Sequence, residues 1–575
     1  MFALRLHAKI HISAVPVVLA VVAVMTVLPG CSTKHYKESA DRQVQKILKE
    51  KHKLLFGEEE IYEIEQIARD PMADLPRAEK PPLDVPENLK RSEEPPLIIS
   101  LEKSLEIATY NSRRHQSNKE DVYLAALALT SERHEFSSRF SGIISSFYKR
   151  TTTGDVSEDT LTTETGFSVS KLLKDGASIG IDVSTEFLRY LTSDPARAAA
   201  SILAVKIIQP FWKNAGREVV QENLRQSERD VIYAIRSFAR YKKTLTVEVA
   251  SSYYRVLQQR DVVRNEWNNY QNLIRARDRT ENLAKAGRLP EFQVDQARQD
   301  ELRSRDRWVR SIQTYYQRLD NFKIMLGLPT DANVDLDDTD LKKLAQAGIR
   351  QPALSAEEAI TMAMEHRLDL MNARGSVEDA ERKVKVAENG LGGGVNLVFE
   401  SSVPTRPERR FAEFRFDQAT WNAGLDIDLP LDRLNERNTY RTTLISLART
   451  VREFGLAVDN VKLDVRDAWR RLQQAKESYD IQKKSVELAR RRVDSTTTLI
   501  DAGRASTRDL LEAQSALLEA QNALTTALVD HTIARLEFYR DIGILRVDKK
   551  GLWQEDQNAN ENAGTDKPRE NDRQD

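Results

Sequence analysis

At 575 residues the chain exceeds one ordinary domain, and its 87 basic and 88 acidic side chains leave a formal net charge of −1. So balanced a composition carries no bulk basic field, which excludes nucleic acid and other polyanions as expected partners. A single cysteine, Cys31, leaves no pair for an intrachain disulfide.

The first thirty residues join basic Arg5 and Lys9 to the apolar run HISAVPVVLAVVAVMTVLPG. This is a secretory signal pattern and is set apart from the fold. The run ends at Leu28-Pro29-Gly30-Cys31, which resembles a bacterial lipobox. That resemblance implies cleavage before Cys31, a diacylglyceryl anchor on its sulfur, palmitate among the acyl chains of the lipoprotein, and a diderm host. Ser32, rather than Asp, after the cysteine is similar to lipoproteins sorted to the outer membrane. Residues 31–96 form an N-terminal extension. Its first part is charged and helix-compatible, and residues 71–96 hold seven prolines, which predicts an extended linker.

From residue 97 the chain is an internal duplication. Ala286-Gly287-Arg288 returns 216 positions later as Ala502-Gly503-Arg504. The same offset carries Gly327 onto Gly543, Tyr253 onto Trp469, and Val249 and Val256 onto Val465 and Leu472. The first repeat is 97–330, with strands at about 140–210 and a hairpin tip at 286–289. A linker or equatorial region, 331–354, leads to the second repeat, 355–545, with strands at about 394–431 and a tip at 502–505. Residues 546–575 are expected to be a disordered tail.

Each repeat reads as helix, strands, very long helix, turn, helix. In the second long helix Val458, Val465, Leu472, Tyr479, Val486, Val493 and Ile500 recur every seven residues, with Phe454, Val461, Ala468, Ala475 and Ala489 on a second row. That is a coiled-coil seam. The first repeat keeps it through Ile235, Val249, Val256, Val263 and Tyr270, with Lys242 as the exception. Over about 217–285 and 436–501 these helices reach on the order of 100 Å, whereas the incoming helices (about 100–136 and 355–388) and returning helices (about 291–326 and 506–541) reach about half of that. Each long helix is therefore expected to lie beside two shorter ones stacked end to end.

Between incoming and long helices the hydrophobic period falls to two. SGIISSFYKR, GFSVSKL, ASIGIDVSTEF and ILAVKIIQP in the first repeat, and GGGVNLVFESS and WNAGLDIDLPL in the second, read as strands. The first region is about 35 residues longer, absorbed by an additional strand pair or a long external loop. Four to six strands cannot close a pore, and a bilayer leaves no open edge unsatisfied. Pooling strands among copies of the chain, as a homotrimer, answers that requirement.

On the tandem repeats, the Gln209-Pro210-Phe211 and Leu429-Pro430-Leu431 junctions, and the Ala-Gly turns followed by an Asp/Gln-rich helix start, residues 97–545 resemble the TolC family of outer-membrane efflux and secretion proteins. The resemblance implies a mainly α fold with a β-barrel portion: a homotrimer of duplicated units building a twelve-stranded outer-membrane barrel, continued by a twelve-helix periplasmic coiled-coil tunnel. It also implies a passive exit duct, with a periplasmic adaptor and an inner-membrane RND, ABC or similar pump as partners. Ala286, Gly287, Arg288, Ala502, Gly503 and Arg504 then become adaptor-docking tips. Asp509 and Glu512, three apart on one helix face, match the family's lumenal acids at the pore constriction; Gln293 and Gln296, at the equivalent first-repeat positions, do not. The long first hairpin region and the proline-rich extension depart from the family pattern.

No enzyme is expected. The histidines show no metal-ligand spacing and no phosphate-binding glycine loop is present, so neither metal nor cofactor is implied. The competing reading is a lipid-anchored periplasmic coiled-coil scaffold without a pore. It shares the long helices but gives no reason for strand regions at equivalent points of both repeats.

Overall fold

The computed structural model describes residues 32–553 except 63, 65–70, 74, 79–82, 84, 87, 88, 92, 93, 154, 155, 191–196, 407–409, 503 and 549. Helix α1, Thr33–Phe56, is capped by the Ser32 hydroxyl and stopped by Gly57 in a left-handed conformation. After β1, Leu97–Ile99, come α2, Leu101–Asn111, and α3, Arg113–Glu135. Strands β2 Arg139–Thr153, β3 Val156–Leu172, β4 Ser178–Tyr190 and β5 Arg197–Pro210 lead to the long helix α4, Glu222–Lys285, and the returning helix α5, Glu291–Leu326. The short strand β6, Val334–Leu336, and α6, Thr339–Ala347, join the repeats. The second repeat holds α7 Ala356–His366, α8 Leu368–Gly390, β7 Gly394–Arg406, β8 Arg410–Phe414, β9 Thr420–Asp428, α9 Leu434–Asp501 and α10 Thr507–Asp541.

The wall follows from the lengths. In its lower half the packing order is α9, α10, α4, α5; in its upper half α8 replaces α10 and α3 replaces α5. Helix α4, at 64 residues, spans about 96 Å, and α3 with α5 covers about 90 Å of the same height. The heptad positions close the seam: Ile235, Val249, Val256, Val465 and Leu472 are all buried. Across the α4–α10 contact a polar ladder holds the two repeats in register. It runs through Arg255–Asp530 at 2.6 Å, Gln258–Thr526 at 2.6 Å, Asp261–Thr525 at 2.9 Å and Asn265–Asn522 at 2.8 Å.

The incoming helices are not continuous, as the sequence led us to expect, but broken at Ser112 and Arg367, both in extended conformation. The breaks lie where the returning helices end. Gly327 (φ +77°) abuts the Asn111 carbonyl, and Gly543 (φ +85°) abuts that of His366. The upper piece of each incoming helix carries on the stack, while α2 turns aside against α4 and α5.

The exception in the seam, Lys242, has a partner from the N-terminal extension. Its ammonium donates to both Glu60 oxygens at 2.9 and 3.0 Å, and His52 of α1 stands 2.9 Å from the same carboxylate. Burial alone would raise the Glu60 pKa, but His52 and Lys242 outweigh it and hold it down at about 2. With Tyr62 buried against Phe238, this contact fastens the extension to the wall.

All strands but β1 and β6 form one sheet in the order β2-β3-β4-β5-β7-β9, with β8 on the far end of β7. Every neighbouring pair is antiparallel. The extra residues of the first region therefore form a strand pair rather than an external loop. Of the tail expected to be disordered, the described residues 546–548 and 550–553 instead fold back on the wall, with a bridge from Val547 to Trp553 and Gly551 against Leu105 and Thr109, and residues 554–575 lie outside the described residues.

Candidate functional site

The sheet has two chemically opposite faces, and the register fixes which residues share each. On one, Phe140 and Ile144 of β2 lie in line with Phe167 and Val169 of β3. The row continues through Ile179, Ile181, Val183 and Phe187 of β4, Leu203, Val205 and Ile207 of β5, Leu397, Phe399 and Val403 of β7, and Trp421, Leu425 and Ile427 of β9. Many are exposed in the single chain: Phe140 by 68%, Trp421 by 66% and Leu425 by 63%. The other face carries Ser141, Ser145, Glu164, Ser168, Asp182, Glu186, Lys206, Glu400, Asn422 and Asp426, with Lys206 and Glu400 paired at 2.7 Å. Ile143, Phe147, Ile202, Ile208 and Val398 are among the apolar exceptions on it. Alternation of this kind over strands of 9–17 residues is that of a membrane-spanning barrel wall, apolar to lipid and polar to the lumen. Among the described residues no helix is long and apolar enough to cross a membrane.

At the opposite end of the wall are the tips. Ala286, Gly287 and Arg288 are exposed, and Gly287 takes φ +68°. The Arg288 amide donates back to the Leu283 carbonyl at 2.9 Å and that of Gly287 to Ala284 at 2.9 Å, a helix stop that requires the left-handed residue. The second tip repeats the long back-bond, from the Arg504 amide to the Leu499 carbonyl at 2.8 Å. Ala502 and Arg504 are exposed as well. Gly503 and Cys31 lie outside the described residues.

Asp509 and Glu512 are both exposed, close behind the second tip. Asp509 closes a capping box: it accepts from the Ser506 amide and hydroxyl at 2.8 and 2.7 Å, and its own amide donates to the Ser506 hydroxyl at 3.3 Å. The Ser506 hydroxyl, and then its amide, holds that carboxyl below the ordinary range. Glu512 accepts from Arg492 of α9 at 2.8 Å. Within one chain, then, both acids have local partners, and Ser506, absent from the first repeat's Pro290 cap, is the signal for the first of them.

The network that sequence reasoning missed lies at mid-height. Arg260, 4% exposed in the middle of α4, donates to Asp335 at 3.1 Å and to the Leu336 carbonyl at 2.5 Å. The Tyr315 hydroxyl of α5 and the Leu336 amide also donate to Asp335. Burial, then the Asp335 charge, pushes the Tyr315 hydroxyl well above its ordinary range, so it stays a donor. No periodicity announces this cluster, because β1 and β6 are only three residues long and pair in parallel across more than two hundred positions.

Residues 359–543, from within α7 to the glycine that stops α10, match the family model of outer membrane efflux proteins. No curated protein matches the chain. Among solved structures, CusC, described in the context of transmembrane channel formation, aligns over 82% of this chain and 99% of its own at 14% identity and a TM-score of 0.57. The CmeC outer membrane channel of Campylobacter jejuni covers 80% of this chain and 88% of its own, at 12% identity and 0.57. The open-state MtrE outer membrane channel of Neisseria gonorrhoeae covers 82% and 98%, at 13% and 0.54. These likenesses are of fold, and none is to an enzyme. Residues 359–543 thus match the outer membrane efflux protein family, and the fold over both repeats is that of the solved outer membrane channels.

Proposed function

We propose that three copies of this chain form a passive exit duct, lipid-anchored at Cys31, through which a periplasmic adaptor and an inner-membrane pump deliver substrate to the exterior. The observation that carries this reading is the sheet: one apolar and one polar face, set on a helical wall about 100 Å tall. A scaffold without a pore has no use for such a sheet. The wall itself supports self-assembly. On the free flank of α9, Leu456, Leu463, Ile481 and Leu488 are exposed by 52–61%, and the opposite flank offers Leu124, Phe292 and Leu302, exposed by 58–65%. Exposed apolar side chains seven residues apart, Leu456 with Leu463 and Ile481 with Leu488, call for a partner helix.

Burying each leucine contributes about 1.5–3 kcal/mol. Leu463→Lys with Leu488→Lys is therefore expected to lower the fraction of three-chain particles in native mass spectrometry by about tenfold or more. An unchanged trimer would sink this interface.

The tips supply the adaptor contact in this reading, since both end in an exposed Arg after a fixed turn. Arg288→Glu with Arg504→Glu is expected to abolish adaptor cross-linking in cells while the trimer persists. If cross-linking is retained, docking belongs elsewhere on the wall. In the trimer Asp509 and Glu512 place six carboxylates around one axis, a field that favours cations.

A further inference from the structure

We propose that the barrel closes by pairing β9 of one copy with β2 of the next, so that three copies make eighteen strands rather than the twelve that the family resemblance implies. The inference rests on the trimer of the preceding section. Its basis is the extra strand pair, whose place in the sheet is fixed on three sides.

First, β2 and β3 belong to the membrane slab. Strand β3 is bonded to β4 along Thr160–Leu172. The β3–β4 turn sits on the foot of the wall: Asp175 accepts from the Gly216 amide at 3.1 Å, and Gln221 donates to the Lys174 carbonyl at 3.1 Å. Gly176 is packed so closely that an added Cβ would stand 2.8 Å from the Asn214 carbonyl. A hairpin tied down there cannot stand apart from the barrel as an external loop.

Second, the hairpin carries the same two faces as the other strands. Phe140, Ile144, Phe167 and Val169 continue the apolar face, and Ser141, Ser145, Glu164 and Ser168 the polar one. A bilayer leaves no backbone donor or acceptor on β2 or β9 unsatisfied, so their free edges must find strands. A second copy offers both. With six strands alternating up and down, a descending β9 meets an ascending β2, and the seam is antiparallel like every other pair.

Third, the geometry closes. The ladder that starts at Arg139 runs through Ser170, Gly180, Lys206 and Glu400 to Asn422. Asn422 stands six residues before the end of β9 at Asp428. Arg139 and Asp428 both mark the handover between sheet and wall, and both lie on the polar face. Setting them opposite each other brings opposite charges together and keeps apolar residues outward: Ile427 meets Phe140 and Ala423 meets Ile144. The stagger is then six residues per chain, a shear equal to the strand number, which tilts the strands by about 35°. That falls at the edge of the ordinary range of about 35–45°. Because diameter grows about linearly with strand number, the mouth is about half again as wide as a twelve-stranded one.

The test is disulfide trapping in the intact lipoprotein. Ile143→Cys with Gly424→Cys joins residues that the proposed register sets opposite each other, and should give ladders of covalent dimer and trimer under mild oxidation, with neither single variant doing so. Asp182→Cys with Gly424→Cys is the rival pair, joining β9 to β4 as a twelve-stranded barrel without the extra hairpin requires. Ladders from the rival pair, or none from the first while native mass spectrometry still counts three chains, overturn the eighteen-stranded closure. A count other than three overturns the trimer itself and is told apart by that measurement.

Discussion

Gly327→Ala is expected to unfold the middle of the wall. At φ +77° any side chain adds about 1–2 kcal/mol of backbone strain. Here the methyl group would also stand 2.2 Å from the Asn111 carbonyl oxygen and 2.8 Å from its carbon. Backbone cannot swing aside as a flexible side chain can, so α5 must withdraw from the break between α2 and α3. The total expected cost is about 2–5 kcal/mol, adding the strain to an overpacked contact of about 1–3 kcal/mol. The twin position gives an internal control: an added Cβ at Gly543 meets His366 backbone at 3.0 Å, so Gly543→Ala should be destabilising but milder. Thermal unfolding of the purified variants reads the order directly. Equal midpoints for both variants and the unmodified protein would show that the stacked break does not hold the wall together.

Arg260→Ala is the second large effect, and its origin is electrostatic. It leaves the Asp335 carboxylate, 3% exposed, with donors from Tyr315 and the Leu336 amide but no counter-charge among the described residues. Breaking a buried pair in this way costs about 3–5 kcal/mol. Replacing both members, as Arg260→Met with Asp335→Leu, removes the stranded charge and should recover more than half of the loss, although the Tyr315 hydroxyl then lacks its acceptor. The comparison of single and double variants in one denaturation series separates charge burial from lost packing. A double variant as unstable as the single one would assign the cost to the shape of the cluster instead.

Much of the architecture was legible because duplication and periodicity are long-range signals. Gly287 returning at Gly503 located both tips, and Val465, Leu472 and Val486 at sevenfold spacing located a 68-residue helix. Gly327 and Gly543 marked the helix ends because a left-handed stop is written in a single residue type. What stayed hidden depends on contacts between segments far apart in sequence. Lys242 read as a flaw in the seam until Glu60, 182 positions earlier, stood against it. Ser112 and Arg367 break helices whose local propensity is unremarked, because the carbonyls at Asn111 and His366 must meet a returning helix. Asp509 matched a lumenal acid by position, yet its nearest partners are the amide and hydroxyl of Ser506, three residues away. The first hairpin region announced its extra length, but only the β3–β4 register decides that this length is sheet.

Single-channel recording in a planar bilayer asks directly whether three copies enclose a pore. Purified trimer is expected to insert with discrete conductance steps and to prefer cations, and Asp509→Ala with Glu512→Ala should reduce that preference and the block by multivalent cations while leaving the steps in place. Trimer that incorporates into the bilayer and yet passes no ions would contradict the duct and leave the periplasmic scaffold as the better account.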